Sequence, residues 1–177
     1  MRIIGGELRS RVISFADAEG LRPTPDRVRE TLFNWLEQTL HGRSCLDLFA
    51  GSGALGFEAA SRGAERVTMV EKNSAVYRAL QDNLKKLACP QVFLRHQDGL
   101  EFASRDAQRY DVIFLDPPFQ SEYLPKLLEI LPQRLNENGV VYIESGAVVK
   151  VSLPWKAIKS GKAGQVYYQL LGLSVND

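Results

Sequence analysis

From residue 44 to residue 144 short apolar runs alternate with stretches of helical spacing, and this alternation constrains the chain more than any other feature. Residues 45–50, 66–70, 92–95, 111–115 and 139–144 read as strands, rich in β-branched and aromatic side chains. Between them, helices are predicted near 54–61, 74–86, 99–104 and 122–131; in the second of these Val76, Leu80, Leu84 and Leu87 share one side. A βαβα order needs crossover connections, so it implies a parallel sheet with helices on both faces. The final stretch breaks the alternation. Residues 155–158 and 166–171 read as two strands joined by Ser160-Gly161-Lys162-Ala163-Gly164, which is a hairpin pattern. The expectation is an α/β, Rossmann-like, mostly parallel seven-stranded sheet that ends in an antiparallel hairpin.

Ahead of this block lie two smaller pieces. Residues 1–20 read as a hairpin-like β arm, with Ile3-Ile4 and Val12-Ile13 as its apolar parts. Such an arm cannot support itself and must lie on the body or on a ligand. The remaining domain, 21–177, opens with a helix expected at about 25–40. Thr24 suits its N-cap, Pro25 its first position and Asp26 the positive end of its dipole. Val28, Leu32, Trp35, Leu36 and Leu40 give it an inward face. Arg27 and Arg29 fall in the first turn, where the dipole disfavours cations. They mark either function or ion pairs with Asp26 and Glu30.

Composition narrows the class of partner. With 177 residues, 45% of them hydrophobic and 24% charged, the chain can bury a core without staples. The net charge of +1 gives no global attraction for a polyanion, but the distribution does. Arg2, Arg9 and Arg11 cluster at one end; Lys150, Lys156, Lys159 and Lys162 run without an acid between Glu144 and Asp177. Cys45 and Cys89 fit neither a metal spacing nor a disulfide framework, and Cys45 lies in a predicted buried strand. His41 and His96 stand alone, so no metal is expected. There is no apolar run of transmembrane length and no signal-peptide pattern at the start, which points to a cytoplasmic protein with no membrane partner.

Two clusters carry the chemistry. The first is Asp47-Leu48-Phe49-Ala50-Gly51-Ser52-Gly53-Ala54-Leu55-Gly56, after the first strand and opening a helix. Glycines there let the backbone turn tightly and approach a ligand. Glu71 ends the second strand, where an acid can take two ribose hydroxyls. Taken alone this suits a dinucleotide or S-adenosylmethionine. Asp47 favours the second, since it would repel a pyrophosphate and welcome an ammonium. Asp98, in Gln97-Asp98-Gly99, adds an acceptor suited to an adenine amino group. The cofactor-binding candidates are Asp47, Phe49, Ala50, Gly51, Gly53, Glu71, Asp98 and Gly99, with S-adenosylhomocysteine as the product.

The second cluster is Asp116-Pro117-Pro118-Phe119, at the end of the fourth strand. Prolines cannot continue a ladder, so a stiff lip forms at the carboxyl edge of the sheet. An exocyclic amine is a poor nucleophile because its lone pair is delocalised into the ring. Acceptors on its hydrogens would aim that lone pair. Asp116 and the Pro117 carbonyl can supply them, Phe119 can stack on the base, and Asp116 can offset charge developing on nitrogen. The base must leave its stack to reach them.

These residues resemble a family. Asp116-Pro117-Pro118-Phe119 looks like the motif of amino-group N-methyltransferases acting on nucleic acid. Arg2-Ile3-Ile4-Gly5-Gly6, Arg9, Arg11, Arg22-Pro23-Thr24, the run from Asp26 to Asn34 and the run from Leu46 to Gly56 are similar to the bacterial RsmD family. The chain departs from the family at Ser10, where a glycine is expected, and at Ala16-Asp17-Ala18, where a proline-containing turn is common. The resemblance implies a class I S-adenosylmethionine-dependent methyltransferase. It further implies methylation of the N2 amine of a guanine, the one at position 966, in 16S rRNA of an assembled or partly assembled small ribosomal subunit. Asp116, Pro117 and Phe119 would hold the base. Arg2, Arg9, Arg11, Arg22, Thr24 and Arg27 would contact RNA, with Lys156, Lys159 and Lys162 as a second basic wall. The chain is expected to act as a monomer.

Three other readings stay open on the sequence alone. They are an adenine-N6 methyltransferase acting on DNA, a nicotinamide-dependent oxidoreductase using Gly51, Gly53 and Gly56, and a non-catalytic RNA-binding or assembly factor that keeps a cofactor-shaped core.

Overall fold

The computed structural model describes residues 1–15, 23–117 and 122–174. Its centre is one seven-stranded sheet: β1 (Ser44–Asp47), β2 (Arg66–Glu71), β3 (Val92–His96), β4 (Tyr110–Leu115), β5 (Leu135–Ser145), β6 (Trp155–Ala163) and β7 (Val166–Leu173). The spatial order is β3-β2-β1-β4-β5-β7-β6. The first five strands are parallel to one another, while β7 runs antiparallel between β5 and β6. This is the Rossmann-like plan of class I S-adenosylmethionine-dependent methyltransferases. The order reverses at β1 and β4, so a crevice opens beyond their carboxyl ends, where ligands bind in such sheets.

Period-two alternation sends the strand side chains into two cores. Cys45, Val67, Met69, Val112, Phe114, Tyr142 and Tyr168 face α1 (Asp26–Trp35), α2 (Ala54–Ser61) and α3 (Ser74–Leu87). Leu46, Leu48, Val70, Ile113, Leu115, Val141 and Ile143 face the other way, toward α4 (Gly99–Arg105) and α5 (Tyr123–Ile130). Both cysteines are free and buried, and burial pushes the Cys45 thiol up to about 12, which makes it inert. None of the described helices is long and apolar enough to cross a membrane.

Three boundaries differ from the sequence expectation, each for a local reason. α1 stops at Trp35, short of residue 40, because Glu37 and Gln38 take positive φ and the Gln38 amide reaches back to the Phe33 carbonyl at 2.7 Å. Leu36 and Leu40 are buried all the same, so the inward spacing outlasts the helix. Thr24 is not the N-cap: Pro25 holds that place, and the Thr24 hydroxyl is spent elsewhere. The hairpin connection shrinks from five residues to Gly164-Gln165, since β6 continues to Ala163 and pairs there with Val166. A single positive φ of 61° at Gly164 suffices to turn the chain.

Residues 1–15 lie flat on the body. They pair with themselves at one bridge, Arg2 with Val12, and bury Ile3 and Ile13. Ser61 and Asn83 pin them from α2 and α3, accepting from the amides of Leu8 and Ser14 at 2.9 and 3.2 Å.

Candidate active site

Each parallel strand but β3 delivers an acid to the crevice. Asp47 ends β1, Glu71 ends β2, Asp116 follows β4 and Glu144 lies next to last in β5; Asp98 stands two residues beyond β3. Residues Leu48 to Gly53 form the turn from β1 into α2. It is braced by the Ala50 amide on the Val70 carbonyl at 2.9 Å and the Gly51 amide on Glu71 Oε1 at 2.9 Å. Gly53 caps α2 with φ +86°, and a Cβ there would lie 2.6 Å from the Phe57 ring. The turn therefore needs glycine for conformation and for space.

Asp47 is 2% exposed. Burial, then the nearby Glu71 carboxylate, raises its pKa to about 7; the backbone amides of Gly56 and Phe49 hold it down in part, and Glu144 adds a smaller upward push. Asp116 is half-buried beside Glu144, and Pro117 is buried. Desolvation first, then the charges of Glu144 and Asp47, push the Asp116 carboxyl well above the usual carboxylate range. Glu144, 6% exposed, is raised by burial in the same way. Among the described residues no Lys, Arg or His side chain forms an ion pair with Asp47, Asp116 or Glu144. A buried acidic cluster that meets no cation among the described residues suits a ligand that brings positive charge, such as an ammonium or a sulfonium. The donor set therefore fits S-adenosylmethionine and disfavours a pyrophosphate.

Asp98 serves the fold as well as the crevice. One oxygen caps α4 by accepting from the Glu101 amide at 3.0 Å, and the other accepts from the Tyr123 hydroxyl at 2.8 Å. The Tyr123 ring lies 5.7 Å from that of Phe49 and lines the same edge. Gly99 opens α4 against the turn that follows β1, where a Cβ would come within 2.5 Å of the Leu48 carbonyl oxygen.

The acid and glycine candidates thus come together, while the basic candidates divide. Arg2, Arg9, Arg11 and Arg27 are exposed on the arm and on α1, with Arg2 donating to the Ser10 carbonyl at 2.8 Å and Arg11 to the Lys86 carbonyl at 2.9 Å. Lys156, Lys159 and Lys162 are exposed on β6, the last strand at the opposite end of the sheet from β3. Lys162 lies over the Tyr167 ring at 5.2 Å, beside a shallow groove that Lys150 and Lys156 also line. Thr24 departs from the other RNA candidates: it is buried and donates to Glu144 Oε1 at 2.8 Å. Arg29 is fully buried against Asp26 and Glu58, so for this arginine the first-turn conflict ends in an ion pair, while Arg27 stays exposed. Arg22 and Phe119 lie outside the described residues. Glu144, Tyr142 and Tyr123 escape a reading by motif. The signal for Glu144 was present: Val140-Val141-Tyr142-Ile143-Glu144 is an apolar run that ends in an acid, as the runs into Asp47, Glu71 and Asp116 do.

Known proteins resemble this chain over nearly its whole length. The family model described as conserved hypothetical protein 95 matches residues 1–172. A Haemophilus influenzae protein named ribosomal RNA small subunit methyltransferase D is 40% identical, over 96% of this chain and 92% of its own length. A protein of the same name from Escherichia coli strain K12 is 39% identical, over 96% and 88%. The solved structure of yhhF from Escherichia coli superposes with a TM-score of 0.89 at 38% identity and covers 99% of each chain.

Proposed function

The chain belongs to the RsmD family, and from that premise we propose that it methylates the N2 amine of a guanine, at position 966, in 16S rRNA of the small ribosomal subunit. The observation that carries the reading is the acidic crevice at the carboxyl edge of β1 and β4, where Asp116 stands beside Glu144 and Asp47 and no described residue brings a cation. When bound there, S-adenosylmethionine supplies a methyl group on a positively charged sulfur. Asp47 would receive the ammonium and Glu71 the ribose hydroxyls, Phe49 and Asp98 would border the adenine, and Ala50, Gly51, Gly53 and Gly99 would shape the wall. Asp116 and the Pro117 carbonyl accept the two hydrogens of the guanine amine and hold its lone pair in line with the S–CH3 bond. Phe119 stacks on the extruded base. The amine nitrogen would accept the methyl group, forming an N–C bond while the electrons of the broken S–C bond stay on sulfur. One N–H proton then leaves to water. The carboxylate of Asp116 offsets the positive charge on nitrogen before that loss.

Residues 1–20 act in this reading as an RNA-facing arm on a methyltransferase domain of residues 21–177, and the enzyme works as a monomer on an assembled or partly assembled subunit. Arg2, Arg9, Arg11, Arg22 and Arg27 meet phosphates on one side, and Lys156, Lys159 and Lys162 on the other. The test is to offer small-subunit particles, free 16S RNA and DNA to the protein with labelled donor. Label on guanine of the particles supports the proposal, and label on DNA adenine overturns it. Asp116→Ala lowers turnover by roughly a hundredfold or more while S-adenosylhomocysteine binding changes little; unchanged turnover removes Asp116 from the mechanism.

A further inference from the structure

One acid in the crevice is claimed neither by the glycine turn nor by the proline lip. Glu144 is in β5, the parallel neighbour of β4. Leu115 pairs with Ile143, so one step further along both strands sets Asp116 beside Glu144. By alternation both side chains leave the sheet on the face of Phe114 and Tyr142, the face that α1 covers. What surrounds Glu144 decides how its two oxygens are used. Thr24 Oγ1 donates to Oε1 at 2.8 Å, and the Tyr142 hydroxyl donates to the same oxygen at 2.7 Å. Two donors occupy Oε1, and the β4–β5 register brings the Asp116 carboxyl against the rest of the Glu144 carboxylate.

From this geometry we infer that Glu144 is a positioning residue of the methyl-acceptor site: clamped by Thr24 and Tyr142, it holds the Asp116 carboxyl, through one shared proton, in the orientation that receives the amine. The inference rests on the methyl-transfer reading and deepens it. Two carboxyls side by side in a largely buried site cannot both ionise freely, so a single proton between them is the favoured state. The upward push on Asp116 from Glu144 has the same sign. Among the described residues, the other titratable groups that face the pair are Asp47 from β1, Tyr142 from β5 itself and, beyond Tyr142, Tyr168 from β7. The segment before α1 contributes Thr24, which does not titrate. The arrangement gives Thr24, too buried to touch RNA, a place inside the catalytic architecture, and it joins the leader of α1 to the lip.

Three variants test the inference on small-subunit particles. Glu144→Ala removes the clamp and lowers kcat by about tenfold or more, as loss of a buried hydrogen bond to a charged group does. Glu144→Gln keeps an acceptor for Thr24 and Tyr142 and presents an N–H to Asp116. It restores kcat at the alkaline plateau and, by removing a neighbouring charge, moves the acid limb of the kcat/KM profile down by about one pH unit or more. Thr24→Val preserves shape, removes one donor, and lowers kcat with little change in KM for the particle. Calorimetric binding of S-adenosylhomocysteine reports that each variant is folded. The inference fails if Glu144→Gln titrates like the wild type, if Glu144→Ala keeps full kcat, or if Thr24→Val changes only KM. Failure of the methyl-transfer reading is distinct: the wild-type protein itself would then leave the particles unlabelled.

Discussion

Arg29 Nη1 lies 3.3 Å from Glu58 Oε1, and neither side chain has any exposure to solvent. The pair is the knot that ties three segments together. Glu58, on α2, also accepts from the amides of Ile4 and Gly5 at 2.9 and 3.0 Å and from Arg62 Nε at 2.9 Å. Arg29, on α1, also donates to the carbonyls of Arg2 and Thr24 at 3.1 and 3.2 Å and pairs with Asp26. Breaking a buried pair by removing one partner leaves an uncompensated charge and costs about 3–5 kcal/mol. Arg29→Met and Glu58→Leu should each lose that much in urea denaturation, and the double variant should lose clearly less than the sum. Additive losses would mean that the two side chains act independently.

Ser10 occupies a left-handed conformation, φ +71°, between the two exposed arginines of the arm. An L side chain is strained there and glycine is not, although glycine loses more freedom on folding. The balance favours Ser10→Gly by about 0.5–1 kcal/mol in chemical denaturation. A destabilised variant would mean that the serine side chain contributes a contact worth more than the strain.

Asp47 makes stability and cofactor binding depend on pH. Its pKa is raised from 3.8 to about 7 in the folded protein, so between those values the folded state binds more protons than the unfolded one. Stability is therefore greatest below about pH 4 as far as this group is concerned, and falls as pH rises toward 7. A cationic ligand reverses the preference by favouring the carboxylate. S-adenosylhomocysteine, which keeps the ammonium, should weaken by up to about tenfold per pH unit below about pH 7. Calorimetry in buffers of different ionisation enthalpy should show proton release on binding at pH 6. An affinity independent of pH from 5 to 8 would take the ammonium away from Asp47.

The lysines of β6 bear on substrate rather than chemistry. Neutralising Lys156, Lys159 and Lys162 together should weaken RNA binding and reduce the slope of log K against log salt by about 2–3. S-adenosylhomocysteine binding should stay the same. An unchanged salt slope would remove the hairpin from the RNA path.

Much of this was legible in the sequence because the fold rests on local patterns. Alternation of strand and helix specifies the parallel sheet, and the acids that end its strands mark the crevice. What was not legible depends on contacts between distant segments. Thr24 reads as an N-cap because its neighbours suit a helix start, but a hydroxyl near the carboxyl edge finds Glu144, 120 residues away. Arg29 reads as a misplaced surface cation because its partner Glu58 belongs to another helix. Glu144 has no motif around it; its importance arises from the β4–β5 register, which no single stretch of sequence displays.

Mass mapping of 16S RNA from cells lacking the gene tests the proposed methyl transfer to one guanine of the small-subunit RNA. A single methyl should disappear, from the N2 position of guanine 966. The wild-type gene should restore this methyl and the Asp116→Ala gene should not. A 16S RNA with its methylation intact, or a methyl lost at another nucleotide, would contradict it.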